Sequence, residues 1–265
     1  MKPRRHIFAK EYIEETVAVY KEALLANSDK ANSNIELKWA HDVLSQYFSV
    51  VGAEPKIDKA RLSFLSLPSL PKSPKFVPYI RNLEEPSAVS FEQFLSLSYQ
   101  RRSVRWYLQK PVPRELLDKA IIAASYAPSA CNRQPFEFRV FDDPSLVQRV
   151  AEIPMGTKGF SHNFPVIIVV LGMLRAYFDE RDRHLIYIDA ALASMSLMYA
   201  FETLGLSSCP INWPDIEVKE QKISRLLNLK SDERAIMLIS VGYPSPEGMV
   251  AYSQKKILDE IRRYN

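Results

Sequence analysis

The sequence predicts a mixed helix-and-strand protein in two parts, and three observations carry that reading. Tyr12, Ile13, Thr16, Val17, Tyr20, Ala23 and Leu24 form one stripe at helical spacing near the start of the chain. Further on, Val166–Leu171 and Ala235–Gly242 are short apolar runs of strand length. Between them in character, residues 67–86 hold Pro68, Pro71, Pro74, Pro78 and Pro86. Each proline removes a backbone donor and disfavours helix at the residue before it. An extended connector is therefore expected, closing a helical extension over residues 1–87 and leaving 88–265 as the main domain. Its Leu, Phe and Tyr residues predict that the connector lies along a surface.

Each element follows from its own pattern. A second helix is expected from Ser33, with Glu36 as capping-box partner and Leu37, Ala40, Val43, Leu44, Tyr47 and Phe48 on its buried face. Asn27-Ser28-Asp29-Lys30 reads as the turn before it. Ser90 and Gln93 suit the cap of a short helix. Pro113 fits the first turn of a helix carrying Leu116, Leu117, Ala120, Ile121 and Ala124. Phe136–Phe141 reads as a strand. A long helix follows with Ile186, Ala190, Ala193, Leu197, Phe201 and Leu204 on one face, and small residues that let another helix approach closely. A last helix is expected from Lys256.

Composition narrows the function. At 265 residues, 47% hydrophobic and 25% charged, with a net charge of +4, the chain has ordinary globular proportions and no strong bias toward nucleic acid. It has seven glycines and neither GxGxxG nor GxxxxGK[ST], so a bound phosphate must be held by side chains. Cys131 and Cys209 are far apart, and reduced thiols in a cytoplasmic protein are the simplest expectation. The start lacks the apolar core of a secretory signal, and no uninterrupted apolar run reaches the ~20 residues of a membrane span. His6, His41, His162 and His184 are isolated, without metal-ligand spacing. No GxSxG or Cys/His arrangement suggests a hydrolase. Arg181-Asp182-Arg183-His184 reads as a helix start with local ion pairs.

Two segments carry chemistry. Arg101-Arg102-Ser103-Val104-Arg105 packs three guanidiniums and a hydroxyl into five residues. Arginine's planar fork gives two parallel hydrogen bonds to phosphate oxygens, so Arg101, Arg102 and Ser103 suit a phosphate, with Lys255 or Lys256 closing from the tail. Pro128-Ser129-Ala130-Cys131-Asn132-Arg133-Gln134-Pro135 offers a hydroxyl and two carboxamides. Asn132 and Gln134 match the alternating donors and acceptors of a flavin's pyrimidine edge. Arg105 is the candidate cation beside the flavin N1 and O2.

RRSVRWY, then a helix, then APSACNRQPFEF, resembles the nitroreductase family of FMN-dependent oxidoreductases. The later segments Leu204-Gly205-Leu206, Ser208-Cys209-Pro210-Ile211-Asn212-Trp213 and Ile239-Ser240-Val241-Gly242-Tyr243-Pro244 agree in order. The resemblance covers about residues 88–265. It implies an α+β fold around a mainly antiparallel sheet, and a homodimer with FMN at the subunit interface. Arg101 and Ser103 are implied at the phosphate, and Arg105 near N1 and O2. Pro128, Ser129, Asn132 and Gln134 follow as the second loop, and the backbone of Pro210, Ile211 and Asn212 is implied near N5. One of Lys255 and Lys256 is implied at the phosphate.

Two departures stand out: Phe136 replaces a frequent tryptophan, and Asn212-Trp213 replaces an acidic-glycine pair. The second is expected to set a bulky indole close to the active site. The N-terminal part resembles an extension in a nitroreductase-like branch associated with polysaccharide biosynthesis. The expected activity is hydride transfer from NAD(P)H through FMN to an electron-poor acceptor, with no obligatory side-chain acid or base. The alternatives are a flavin-fragmenting or dehalogenating enzyme of the same fold and a flavin-binding scaffold or partner subunit. A basic nucleic-acid binder is the remaining one.

Overall fold

Residues 4–71 and 76–265 are described by a computed structural model, and Pro74 of the predicted connector lies outside them. The chain divides into two units, Met1–Pro86 and Ser87–Asn265. The first holds three helices: α1 (Ile13–Ala26), α2 (Ile35–Val50) and α3 (Pro55–Leu65). Asn34, rather than Ser33, caps α2: its side chain accepts from Leu37 N, while the Ser33 hydroxyl donates to Lys30 O. The third helix is not among the sequence expectations. Its start is nevertheless well specified, because the Glu54 carboxylate accepts from Lys56 N and Ile57 N and Pro55 occupies the first turn. Ile13, Val17, Tyr20, Leu24, Leu37, Leu44, Ile57 and Phe64 make one buried cluster, which Leu70 of the connector joins. Tyr79, Ile80 and Leu83 are exposed, contrary to the expectation that the connector's apolar side chains lie down on a surface.

The second unit begins with α4 (Phe91–Gln100), closed at its start by the expected Ser90/Gln93 capping box. Then come α5 (Arg114–Ser125), with Pro113 at its cap, β1 (Phe136–Phe141), α6 (Pro144–Ala151), β2 (Val166–Met173) and α7 (Leu185–Thr203). The chain continues through β3 (Ser207–Asn212), α8 (Glu217–Leu227), β4 (Glu233–Gly242) and the four-residue α9 (Leu258–Ile261). The four strands form one sheet in the order β1-β2-β4-β3, and every pairing is antiparallel.

Alternation along β2 shows how the layers form. Ile167, Val169 and Leu171 face a cluster with Val147, Val150 and Ala151 of α6 and Ile223 of α8. Val166, Ile168 and Val170 face the opposite cluster, with Leu117, Ala120 and Ala124 of α5 and Ala190, Leu197 and Phe201 of α7. A strand covered on both faces must be apolar at every position, which is why it reads as a continuous run. β4 slips by one residue against β2 between Val170 and Leu171, so Ile236 is extra. Consequently Ala235 and Leu238, three apart, share a face.

Helix α7 is long and apolar enough, by length and composition, to cross a membrane, but its buried side includes Asp189 and Glu202 and it packs on the sheet. It ends in a Schellman motif: Leu206 N donates to Phe201 O, Gly205 N donates to Glu202 O, and Gly205 takes φ +74°. That turn aims the chain into β3. The edge position of β3 is what accommodates Pro210, whose missing donor costs no ladder bond on an open side.

Candidate functional site

The arginine segment is laid along the edge of the sheet. Helix α4 ends at Arg101, which turns extended, and Ser103 then forms a parallel bridge with Ser208 of β3. Val104 N donates to Ser208 O at 3.1 Å. Beneath it, Tyr107 is 5% exposed and its hydroxyl donates to Val104 O at 2.7 Å while meeting Ser240 Oγ at 2.8 Å. Burial pushes the Tyr107 phenol pKa well above its ordinary value, so the hydroxyl stays a donor. Asn163 completes the support: its side-chain oxygen accepts from Tyr107 N at 2.8 Å, and its amide donates to Arg105 O. Leu108 N bonds Tyr243 O, and Ser245 N bonds Trp106 O.

Among the described residues this scaffold gives the guanidiniums of Arg101, Arg102 and Arg105 no salt bridge, although the buried Glu202 carboxyl lies near enough to Arg101 to feel its charge. Arg102 donates only to Arg101 O, and Arg105 reaches Ser103 O at 3.5 Å while lying 5.7 Å from the Phe160 ring centroid. Elsewhere arginines do find carboxylates, as in Arg114–Asp142 at 2.6 Å and Arg175–Asp232 at 2.6 Å. The segment also sits at a helix C-terminus, where partial negative charge accumulates. Cations suit that end, and three of them more than offset it for an incoming anion.

The second loop is held by its own bonds. Ser129 Oγ accepts from Gln134 N at 3.0 Å, which leaves its proton available to donate outward. Cys131, Asn132 and Gln134 all take positive φ, between 49° and 53°. Pro128, Asn132 and Gln134 are exposed and Ser129 is half-buried. The Asn132 and Gln134 side chains approach each other at 3.4 Å. Asp189 of α7, 2% exposed, accepts from Ala130 N at 3.1 Å and from the Tyr177 hydroxyl at 2.6 Å.

The structure thus joins Arg101–Arg105 to the β3 segment that carries Pro210, Ile211 and Asn212. Ile211 is buried in the core, Pro210 is half-buried and Asn212 is exposed. No hydrogen bond among the described residues joins that group to the loop Pro128–Gln134. Lys255 and Lys256 lie exposed in the tail, with no ion pair among the described residues. The Trp213 indole is 9% exposed, packed in the core cluster that also holds Tyr107 and Ile211, and it donates to the Glu220 carboxylate. Tyr107 and Asn163 are not legible as supports in the sequence, since Tyr107 is tied to Ser240 and Asn163 to Tyr107 across gaps of 133 and 56 residues. Arg181–Asp182 is a local ion pair, as expected, between an exposed arginine and a half-buried aspartate.

Glu202, near the end of α7, is buried, and its Oε1 has no hydrogen-bond partner among the described residues. Burial raises its carboxyl pKa, more than nearby Ser207, Arg101 and Gln100 hold it down. A carboxyl whose folded pKa is raised stabilises the fold when protonated, and that contribution is lost as pH rises through the folded value. Glu202→Gln is therefore expected to match the wild type below pH ~4 and to become the more stable protein toward pH ~7. Urea unfolding at the two pH values checks this; a variant less stable at pH ~7 than at pH ~4, relative to wild type, would contradict it.

Comparisons with known proteins bear on the family and the fold. The family model described as "Nitroreductase family" matches residues 99–158 and 154–243. Iodotyrosine deiodinase 1 of Rattus norvegicus is 27% identical over 215 residues, covering 69% of this chain and 73% of that protein. The Pongo abelii protein of the same name is 26% identical over 255 residues, covering 84% of each. That coverage exceeds Ser87–Asn265 alone, so the match runs into the first unit. Among solved structures, an FMN-dependent nitroreductase from Clostridium difficile is 26% identical with a TM-score of 0.55, covering 64% of this chain and 98% of its own. The antiparallel sheet, the order of the motifs and a family model spanning more than half of the sequence converge: the chain belongs to the nitroreductase family.

Proposed function

We propose that this chain is an FMN-dependent oxidoreductase that works as a homodimer, taking hydride from NADH or NADPH and delivering it to an electron-poor acceptor in two half-reactions. The observation that carries the reading is the group Arg101, Arg102, Ser103 and Arg105, fixed at the sheet edge with no salt bridge among the described residues. That donor set fits a phosphate: the guanidinium forks of Arg101 and Arg102 and the Ser103 hydroxyl would bind its oxygens. Lys255 or Lys256 closes on it from the tail.

Bound FMN supplies the redox chemistry, exchanging hydride at N5. The residues of this chain place and bias it. Asn132 and Gln134 offer donors and acceptors to the pyrimidine edge, with Pro128 and Ser129 beside them. Arg105 sets a cation near N1 and O2, where negative charge develops on reduction. Because the Ile211 side chain is committed to the core, the backbone of Pro210–Asn212 on the outer strand would be the part of β3 available to a bound flavin.

A second copy of the chain completes the arrangement. Tyr187, Ile188 and Leu192 of α7 and Phe91, Phe94 and Tyr99 of α4 are exposed apolar side chains on two helices that pack together, an area suited to burial against a partner. Two free cysteines, Cys131 exposed and Cys209 buried, fit a reducing cytoplasm.

The iodotyrosine deiodinase relatives favour a second reading, reductive removal of halide from an aromatic ring at the same site. The FMN-loaded protein, reduced anaerobically with NADH or NADPH and then mixed with a nitroaromatic or a halogenated phenol, separates the two. Reoxidation by the nitroaromatic is the expected outcome. Halide release with no nitro reduction would transfer the assignment to the second reading.

A further inference from the structure

We propose that Asp189 and Tyr177 form a positioning pair that holds the loop Pro128–Gln134 in the strained shape its cofactor contacts need; this rests on the flavin reading above. Three of four consecutive loop residues, Cys131, Asn132 and Gln134, have φ near +50°. Asparagine tolerates that region, but cysteine and glutamine adopt it only when surrounding bonds impose it. Bonds from three directions do so. Ser129 Oγ closes the loop on Gln134 N, and Arg133 donates to Ala176 O at 2.8 Å with its guanidinium 5.7 Å from the Tyr177 ring centroid. Asp189 Oδ2 meanwhile anchors Ala130 N on the residue before the strained run.

Asp189 is an expensive choice for that anchor. It is buried in the apolar helix α7, among Ile186, Ala190 and Ala193, where an aliphatic side chain would pack without desolvating a charge. Its Oδ2 takes two donors, one from the loop and one from Tyr177, so a single carboxylate ties the loop, the segment carrying Tyr177 and the long helix together. Burial, followed by the bond to Asp189, raises the Tyr177 phenol well above its ordinary value, and the hydroxyl remains a donor. Since α7 also carries the exposed Tyr187, Ile188 and Leu192, the helix proposed to meet the partner copy also sets the loop's position.

The test uses full-length Asp189→Ala, Asp189→Asn and Tyr177→Phe, each read two ways. Amide hydrogen exchange of residues 130–134 in the flavin-free protein reports the loop itself. Quenching of FMN fluorescence, with the shape of the bound visible band, reports the cofactor contact. Asp189→Ala is expected to speed exchange at Ala130–Gln134 at least tenfold, weaken FMN binding tenfold or more and alter the band. Asp189→Asn keeps an accepting oxygen and is expected within about threefold of wild type in both, with Tyr177→Phe between them. Should Asp189→Ala fail to fold, the exchange and affinity of Tyr177→Phe decide. Wild-type exchange and affinity in a folded variant lacking the carboxylate or the hydroxyl overturn the pair. Wild-type protein that binds no FMN overturns instead the function on which the pair rests.

Discussion

Arg101→Ala is expected to weaken FMN binding by about tenfold to a hundredfold, while leaving the fold intact. Hydrogen bonds to charged groups contribute about 1.5–3 kcal/mol, and about 1.4 kcal/mol is a factor of ten in affinity. Arg101 is half-buried where the segment meets β3, so solvent screens it less than a surface charge. Among the described residues its side chain makes no salt bridge, and its removal takes away only the nearby charge that helps hold down the buried Glu202 carboxyl. Arg114→Ala is the natural control: it deletes the exposed pair with Asp142, and FMN affinity is expected to hold. Arg101→Lys is expected to recover only part of the loss, because an ammonium lacks the planar fork. Fluorescence titration with FMN measures all three, and equal affinities for wild type and Arg101→Ala would remove Arg101 from the phosphate site.

Gly242→Ala is expected to destabilise the second unit by about 1–3 kcal/mol, the usual range for overpacking. An added Cβ at the end of β4 would sit 2.5 Å from Pro165 Cγ and 2.9 Å from Tyr107 Cδ1. Tyr107 has little freedom to retreat, since its hydroxyl is bonded to Val104 O and Ser240 and its ring packs on the Phe164 edge. Any shift is therefore passed to the 101–105 segment that Tyr107 supports. A lower urea midpoint together with weaker FMN binding is the expected pair of results. Unchanged values for both would show that the sheet end relaxes without moving Tyr107.

The parts of this fold legible in the sequence were those written in local chemistry. The Ser90/Gln93 capping box, the apolar run of β2 and the stripe of α7 need no distant partner to be recognised. Helix α3 carries equally local signals in Glu54, Pro55 and the Ile57/Ala60/Phe64 spacing, but it is short and lies between the stripe of α2 and the proline-rich connector that starts at residue 67. Strand β3 was hidden by Pro210, which argues against a central strand and is tolerated only because β3 is an edge. Strand order was not legible at all: no periodicity places β4 between β2 and β3, and only the family resemblance implied an antiparallel sheet. At the candidate site the donor residues themselves were visible as a dense motif. Their supports were not, because Tyr107, Asn163, Asp189 and Tyr177 act across gaps of up to 133 residues, through contacts that only folding creates.

The central claim is that the arginine segment and the strained loop make a working flavin site. The most direct test is the visible spectrum of the purified protein after incubation with FMN and desalting, followed by anaerobic NADH and, separately, NADPH. Retained flavin absorbance near ~450 nm that bleaches with at least one nucleotide is the expected result. Protein that emerges colourless would contradict the site, and bound flavin that neither nucleotide bleaches would contradict hydride transfer from NAD(P)H.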